Sequence, residues 1–225
     1  MKASRSGSAT LAPRRGRPRT QRKLDDLLSK AARLIAAQGF EATSIRHVGR
    51  EVGSSLAGMY YYFKSKEDLL YQIQHRTFAS LLQAQEQIAA GPGSAEERFR
   101  RLLVGHLAFF ASHPNEMKVC TYEMESLEGR LYDELEQLRR RYFRVLAGVV
   151  SELMDGTVDG EPASRESRYA TLFIFGMLNW VFMWYDTKRD LPLDRLGEEM
   201  LDLVLNGLRR GRRPRKAGTP GRSEG

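Results

Sequence analysis

Hydrogen-bond donors crowd one stretch of this chain: phenols at Tyr60, Tyr61 and Tyr62, an ammonium at Lys66, a guanidinium at Arg46, and hydroxyls at Thr43 and Ser55. Rows of donors without acid–base pairs suit phosphate oxygens, so the chemistry they point to is recognition of a nucleic-acid backbone. Bond-breaking chemistry has no comparable set. The sequence contains no HExxH, GxSxG, Walker loop or CxxC. His47, His75, His106 and His113 lack metal-ligand spacing, and Cys120 is the single cysteine, which excludes an internal disulfide. We therefore expect no enzyme, no metal and no cofactor.

The donors need elements to aim them. Ile45, Val48 and Val52 make one apolar stripe of a first helix, with Thr43 placed to cap its free amides. Gly53 breaks the pattern, and Ser54 or Ser55 can start a second helix running to about Tyr61. Two helices across a short Gly-containing turn form a helix-turn-helix, whose second helix enters the major groove. Ser65 with Asp68 predicts a cap for the next helix, beside Lys66.

Gly39-Phe40, Thr43, Gly53-x-Ser55, Tyr60-Tyr61-Tyr62-Phe63 and Lys64-Ser65-Lys66-Glu67-x-Leu69-Leu70 together resemble the N-terminal domain of the TetR/AcrR family of bacterial one-component regulators. The resemblance implies an all-α fold of about nine helices, with a three-helix DNA-binding domain and a helical ligand-binding and dimerisation domain. It assigns phosphate contacts to Thr43, Ser55, Tyr60, Tyr61 and Lys66, joined by Arg46. Leu56, Ala57 and Gly58 then face the bases, with apolar contact to thymine methyls as their only side-chain readout. Ile45, Val48, Val52, Met59 and Phe63 are core. Two residues depart from the pattern: Ser54 where Val is common, and Gly58 where many members carry Thr.

The net charge of +8 is unevenly spread. Residues 1–24 hold eight basic residues and no acid, and 209–225 hold seven and one, so 25–208 carries a net −6. DNA contact is thus expected only at the helix-turn-helix end and the tails. We divide the chain into a disordered basic arm (1–20), a DNA-binding domain (21–66), a second domain (67–208) and a disordered basic tail (209–225). Within the arm, Arg15-Gly16-Arg17-Pro18 resembles an AT-hook core, which would lay Arg15 and Arg17 in a narrow minor groove. An ordinary solubilising tail is the other reading. The N-terminus has no apolar run after its basic residues, so no signal peptide is expected, and the location expected is the cytoplasm.

Apolar periodicity predicts helices over about 21–38, 66–89, 94–113, 115–127, 130–154, 164–186 and 193–208, with Gly39 ending the first and Ser94-x-x-Glu97 opening the fifth as a capping box. No strand pattern or repeat appears. Residues 169–185 are apolar on nearly every face, yet too short for a membrane span, closed by Arg168 and Asp186 and interrupted by Asn179. Such a helix must be covered on both sides. A second chain would cover the outer side, with Leu196, Met200, Leu203, Val204 and Leu208 of the last helix as a matching stripe. A homodimer also sets two recognition helices about 34–36 Å apart for a palindromic DNA site.

The family resemblance further implies a small-molecule pocket in the second domain, with Phe109, Met117, Cys120, Tyr122, Tyr142, Phe173, Met177 and Trp180 as candidate lining. Plain core packing is the alternative for each. His113-Pro114-Asn115-Glu116, the run Phe175 to Trp180 and Trp184-Tyr185 look like the branch containing repressors of fatty-acid and steroid-ring breakdown, which sense acyl-CoA thioesters. Arg139, Arg140, Arg141 and Arg144 are candidates for the CoA phosphates. A solvated face paired with Glu134 and Glu136 would use the same residues. The function expected is a DNA-binding transcriptional repressor released by an apolar or acyl-CoA ligand. The alternative is an architectural, nucleoid-associated DNA protein with no inducer.

Overall fold

The computed structural model describes residues 19–156 and 164–210. Arg15 and Arg17, and most of the basic tail, lie outside the described residues. Those residues form nine helices and no strand: α1 (Arg19–Gln38), α2 (Ile45–Glu51), α3 (Leu56–Tyr62), α4 (Lys66–Ala89), α5 (Ala95–Ser112), α6 (Pro114–Tyr122), α7 (Gly129–Asp155), α8 (Arg165–Trp184) and α9 (Leu193–Arg210). The chain is all-α, as its periodicity predicts.

Local chemistry sets most boundaries. Gly39, at φ 87, takes the left-handed conformation after α1 and donates its N–H to Ile35 O at 2.8 Å. Ser55, Ser65 and Ser94 each accept a backbone N–H three residues on, and Ser94 with Glu97 completes the capping box. Ser44, not Thr43, caps α2, accepting from His47 N at 3.1 Å. Thr43 sits one residue too early and is buried, its Oγ1 donating to Gly39 O at 2.8 Å and accepting from Gln38 Nε2 at 3.1 Å. The sixth helix stops at Tyr122 rather than near Leu127. There the Gln74 amide donates to Glu123 O at 2.7 Å, and the turn that follows sends Leu127 into the core.

Three apolar clusters hold the molecule. One joins α1–α4 through Leu27, Ala31, Ile35, Phe40, Val48, Met59, Phe63 and Leu69, and it extends to Val119, Leu127 and Leu135 of the body. A second packs α5, α7, α8 and α9 through Phe99, Leu103, Leu107, Val150, Ile174, Leu178 and Leu201. A third, between them, contains Leu81, Leu82, Phe110, Met117 and Tyr142. Helix α4 serves all three, with Leu69, Leu70 and Ile73 in the first, Leu81 and Leu82 in the third, and Ile88 and Ala89 against the second.

The last helix departs from the expected dimer stripe. Leu196, Met200 and Val204 pack inward on the second cluster, and Leu203 faces out. The side chain of Leu208 lies outside the described residues. Gly197 makes this docking close, because a Cβ there would stand 2.9 Å from Val104 Cγ2 on α5.

Phe63 is wholly buried under α3. Replacing it with Ala should cost about 3–5 kcal/mol, read as a lowered urea midpoint. A midpoint equal to wild type would show that α3 is not held from beneath.

Candidate nucleic-acid interface and effector core

Helix α3 is packed on one side and bare on the other. Met59 and Phe63 are buried, whereas Leu56, Ala57, Tyr60 and Tyr61 are exposed, Tyr61 most of all at 78%. The Ser55 hydroxyl is the N-cap, accepting from Gly58 N at 3.0 Å. The turn before it is pinned to α2 by Ser54 N donating to Gly49 O at 2.8 Å. Gly49 allows that approach, since a Cβ there would lie 3.1 Å from both Met59 Cγ and Ser54 O. An exposed helix braced from behind is the arrangement a major-groove reader requires.

The structure sorts the expected DNA contacts. Ser55, Leu56, Ala57, Tyr60 and Tyr61 are exposed, as is Arg46 of α2, and Gly58 is half-buried. Thr43 is withdrawn: its hydroxyl is buried with both bonds made inside the chain. Lys66 is engaged as well. Its Nζ donates to Phe40 O at 3.2 Å, lies 4.0 Å from the Phe40 ring centroid and 3.9 Å from Glu41. These contacts tie α4 to the α1–α2 turn and use one of the three ammonium N–H donors in a hydrogen bond. The sequence reading missed Ser44, which is exposed at the start of α2; Ser44 three residues before the His47 amide was the available signal.

The expected pocket residues do not form one lining. Met117, Cys120 and Tyr142 are buried, and Phe109 is half-buried against the third cluster. Met177 packs on the second cluster instead. Phe173 and Trp180 are 71% and 60% exposed, on the outer face of α8. Tyr122 is also exposed, with Oη donating to Met183 Sδ at 2.6 Å. The helical period explains this: Ile174, Leu178 and Val181 take the inward face, which turns 173 and 180 outward.

A polar pair lies in the apolar interior where α4, α5 and α7 meet. His106 is 1% exposed, shares a hydrogen bond through Nδ1 with Tyr142 Oη, and stacks on Phe110 at 4.4 Å. Burial lowers its pKa to about 3, so the ring is neutral at ordinary pH. Burial likewise pushes the Tyr142 phenol and the Cys120 thiol up, keeping both protonated. Whichever nitrogen of His106 holds the proton, Nε2 is buried without a partner, a state that costs about 1–3 kcal/mol. Nothing in the spacing of the four histidines signals this role.

The four α7 arginines do not converge. Arg139 Nε and Arg140 Nε both bond Glu136, at 3.2 and 2.9 Å, and Arg141 reaches Glu86 of α4 at 2.7 Å. Arg144 borders a separate groove with Arg98 and Glu152. Arg139 and Arg140 thus share one carboxylate on their own helix, while Arg141, a further ~100° round, turns to α4. Elsewhere, a cleft of about 530 Å³ opens between α1, α4 and the α5–α6 junction, with Phe109, Thr77, Arg76 and His113 in its walls. Arg76 pairs with Asp25, and its Nη1 is buried without a partner.

Comparison with known proteins agrees with this geometry. Residues 27–73 match the family of bacterial regulatory proteins, tetR family, and residues 92–208 match the tetracyclin repressor-like C-terminal domain. The fatty acid metabolism regulator protein of Bacillus subtilis (strain 168) is 22% identical over 188 residues, covering 83% of this chain and 95% of that protein. A TetR-family transcriptional regulator from Bordetella parapertussis 12822 superimposes with a TM-score of 0.75 at 26% identity, covering 81% of this chain and 94% of that one. AibR, solved in complex with isovaleryl coenzyme A and operator DNA, gives a TM-score of 0.72 at 19% identity over 81% and 98% of the two chains. With a braced and exposed recognition helix at one end and a matching C-terminal domain over most of the remainder, the chain belongs to the TetR family of bacterial DNA-binding transcriptional regulators.

Proposed function

We propose that this regulator is a homodimeric repressor of the cytoplasm that binds a palindromic operator and is released by an acyl-CoA thioester. The observation that carries the effector reading is His106 Nε2, a hydrogen-bonding atom buried in an apolar core with nothing to bond. With Tyr142 Oη donating to Nδ1, Nε2 carries the proton and a thioester carbonyl offers the missing acceptor, while Leu81, Leu82, Phe110 and Met117 suit an acyl chain. Phe109 separates this core from the open cleft, and Arg76 at the cleft supplies a cation for the polar end of the ligand. Support for the ligand class comes from a relative that regulates fatty acid metabolism and from AibR, whose solved complex contains isovaleryl coenzyme A.

Dimerisation rests on α8. Tyr169, Leu172, Phe173, Trp180, Met183 and Trp184 are exposed together on one helix whose other face is core. So much contiguous apolar surface favours a covered state. An architectural DNA protein would need a basic body to wrap DNA, and this body is acidic between the tails. No helix among the described residues is long and apolar enough to cross a membrane.

Light scattering should give about 51 kDa, twice the 25.6 kDa chain, and Trp180→Glu should return monomers. A monomeric wild type at micromolar concentration contradicts the dimer. Saturation with an acyl-CoA at about 100 times its Kd should add about 2.7 kcal/mol to stability, seen as a raised melting temperature. CoA alone should not produce the rise, and His106→Phe should abolish it. A full response in that variant would place the ligand elsewhere.

His106 also predicts a pH dependence. Its folded pKa is about 3 against 6.5 for the free side chain, so below about pH 6.5 the unfolded chain binds a proton that the native state refuses. Stability should therefore fall as pH drops from about 6.5 towards 3, by about 1.4 kcal/mol per unit from this group. Denaturant titrations at pH 6.5 and 5 should show a shallower loss in His106→Phe than in wild type.

A further inference from the structure

Ser54 and Gly58, the two departures from the family pattern near the recognition helix, meet in the folded chain. A Cβ built on Gly58 would stand 2.7 Å from Ser54 Oγ and 3.2 Å from Ser55 Oγ. The Ser55 hydroxyl is already committed as the N-cap of α3, accepting from Gly58 N at 3.0 Å. Ser54 Oγ has only a long contact to Ser55 O, at 3.5 Å, too stretched to hold the hydroxyl firmly. Its oxygen therefore occupies the space where a side chain at 58 would begin. This space lies at the amino end of the recognition helix, the end that meets DNA in helix-turn-helix complexes. The flanking Leu56 and Ala57 are exposed and offer no side-chain hydrogen bond.

We infer that Ser54 is a DNA-contacting residue, its hydroxyl delivered from the turn into the place a side chain at 58 would fill, where it donates a hydrogen bond to the operator duplex. Gly58 is part of the same device. Any side chain there displaces Ser54 Oγ, so the pair works as serine with glycine. The acceptor is a phosphate oxygen or a base edge, and a hydroxyl serves either. This inference rests on the operator-binding reading above.

The test begins with an operator selected by the full-length wild type from a random duplex library. Fluorescence anisotropy then compares wild type, Ser54→Ala, Ser54→Ala/Gly58→Ser and Ser54→Ala/Gly58→Ala. Losing one hydrogen bond to DNA should weaken binding about tenfold in Ser54→Ala. The double variant with Gly58→Ser should recover most of that loss, because it returns a hydroxyl to the same space. The double variant with Gly58→Ala should not recover, although it improves helix propensity more than Gly58→Ser does. Equal losses on operator and random duplex assign the acceptor to phosphate, and a loss confined to the operator assigns it to a base. Wild-type affinity in Ser54→Ala overturns the inference, as does equal rescue by Gly58→Ala, which would make helix stiffness the cause. A wild type that selects no sequence overturns the operator reading itself.

Discussion

Phe40 sits where the DNA-binding helices meet the body, and two further elements are bonded to it. Its ring is buried beneath the Lys66 ammonium at 4.0 Å, and its carbonyl accepts from the same group at 3.2 Å. Its N–H donates to Glu123 Oε1 at 3.0 Å, at the carboxyl end of α6. Glu123 is fixed in turn, with its other carboxylate oxygen accepting from Ser126 at 2.7 Å and its carbonyl accepting from Gln74 at 2.7 Å. The α1–α2 turn, the first residue of α4 and the end of α6 thus form one bonded unit. Partly buried polar bonds of this kind are stronger than their surface equivalents and expensive to leave unmade. These bonds hold the α1–α2 turn, and with it the approach to α2, against α4 and the end of α6.

The other long-range link is α4 itself. Its first half lies in the DNA-binding core through Leu69, Leu70 and Ile73, and its second half in the effector core through Leu81 and Leu82. A continuous helix bends gently but cannot kink sharply at one end without disturbing its backbone hydrogen bonds. Buried polar atoms without partners include Gln74 Oε1 on α4 and His106 Nε2 on α5. A fold tolerates such costs where function uses them.

Much of the fold was legible because its determinants are local. The span of α4, the Ser65 cap and the capping box at Ser94 and Glu97 depend on residues within one turn of each other, and each was placed correctly from spacing. The helix-turn-helix was legible for the same reason: Ile45, Val48, Met59 and Phe63 keep their inward positions. Errors arose where two neighbouring residues could play one part. Thr43 and Ser44 are both competent caps, and only the buried bond from Thr43 Oγ1 to Gly39 O decides between them. That Lys66 also ties α4 to Phe40 is a contact between residues twenty-six positions apart, which spacing does not reveal.

The sequence by itself determined which segments are helices, where most begin, that α3 has an apolar back and a donor-rich front, and that α8 is apolar on both faces. These follow from a period of 3.6 residues and from caps formed within a few residues. Only the tertiary structure decided which apolar face of α8 is core and which is open, placing Ile174 inside and Phe173 and Trp180 outside. It also turned the α9 stripe inward on α5 and drew His106 to Tyr142 across thirty-six positions. The physical reason is that an apolar side chain gains nearly the same free energy from any close-packed partner. Its own period therefore records that it is buried, while the partner is chosen by every other surface competing for the same cover.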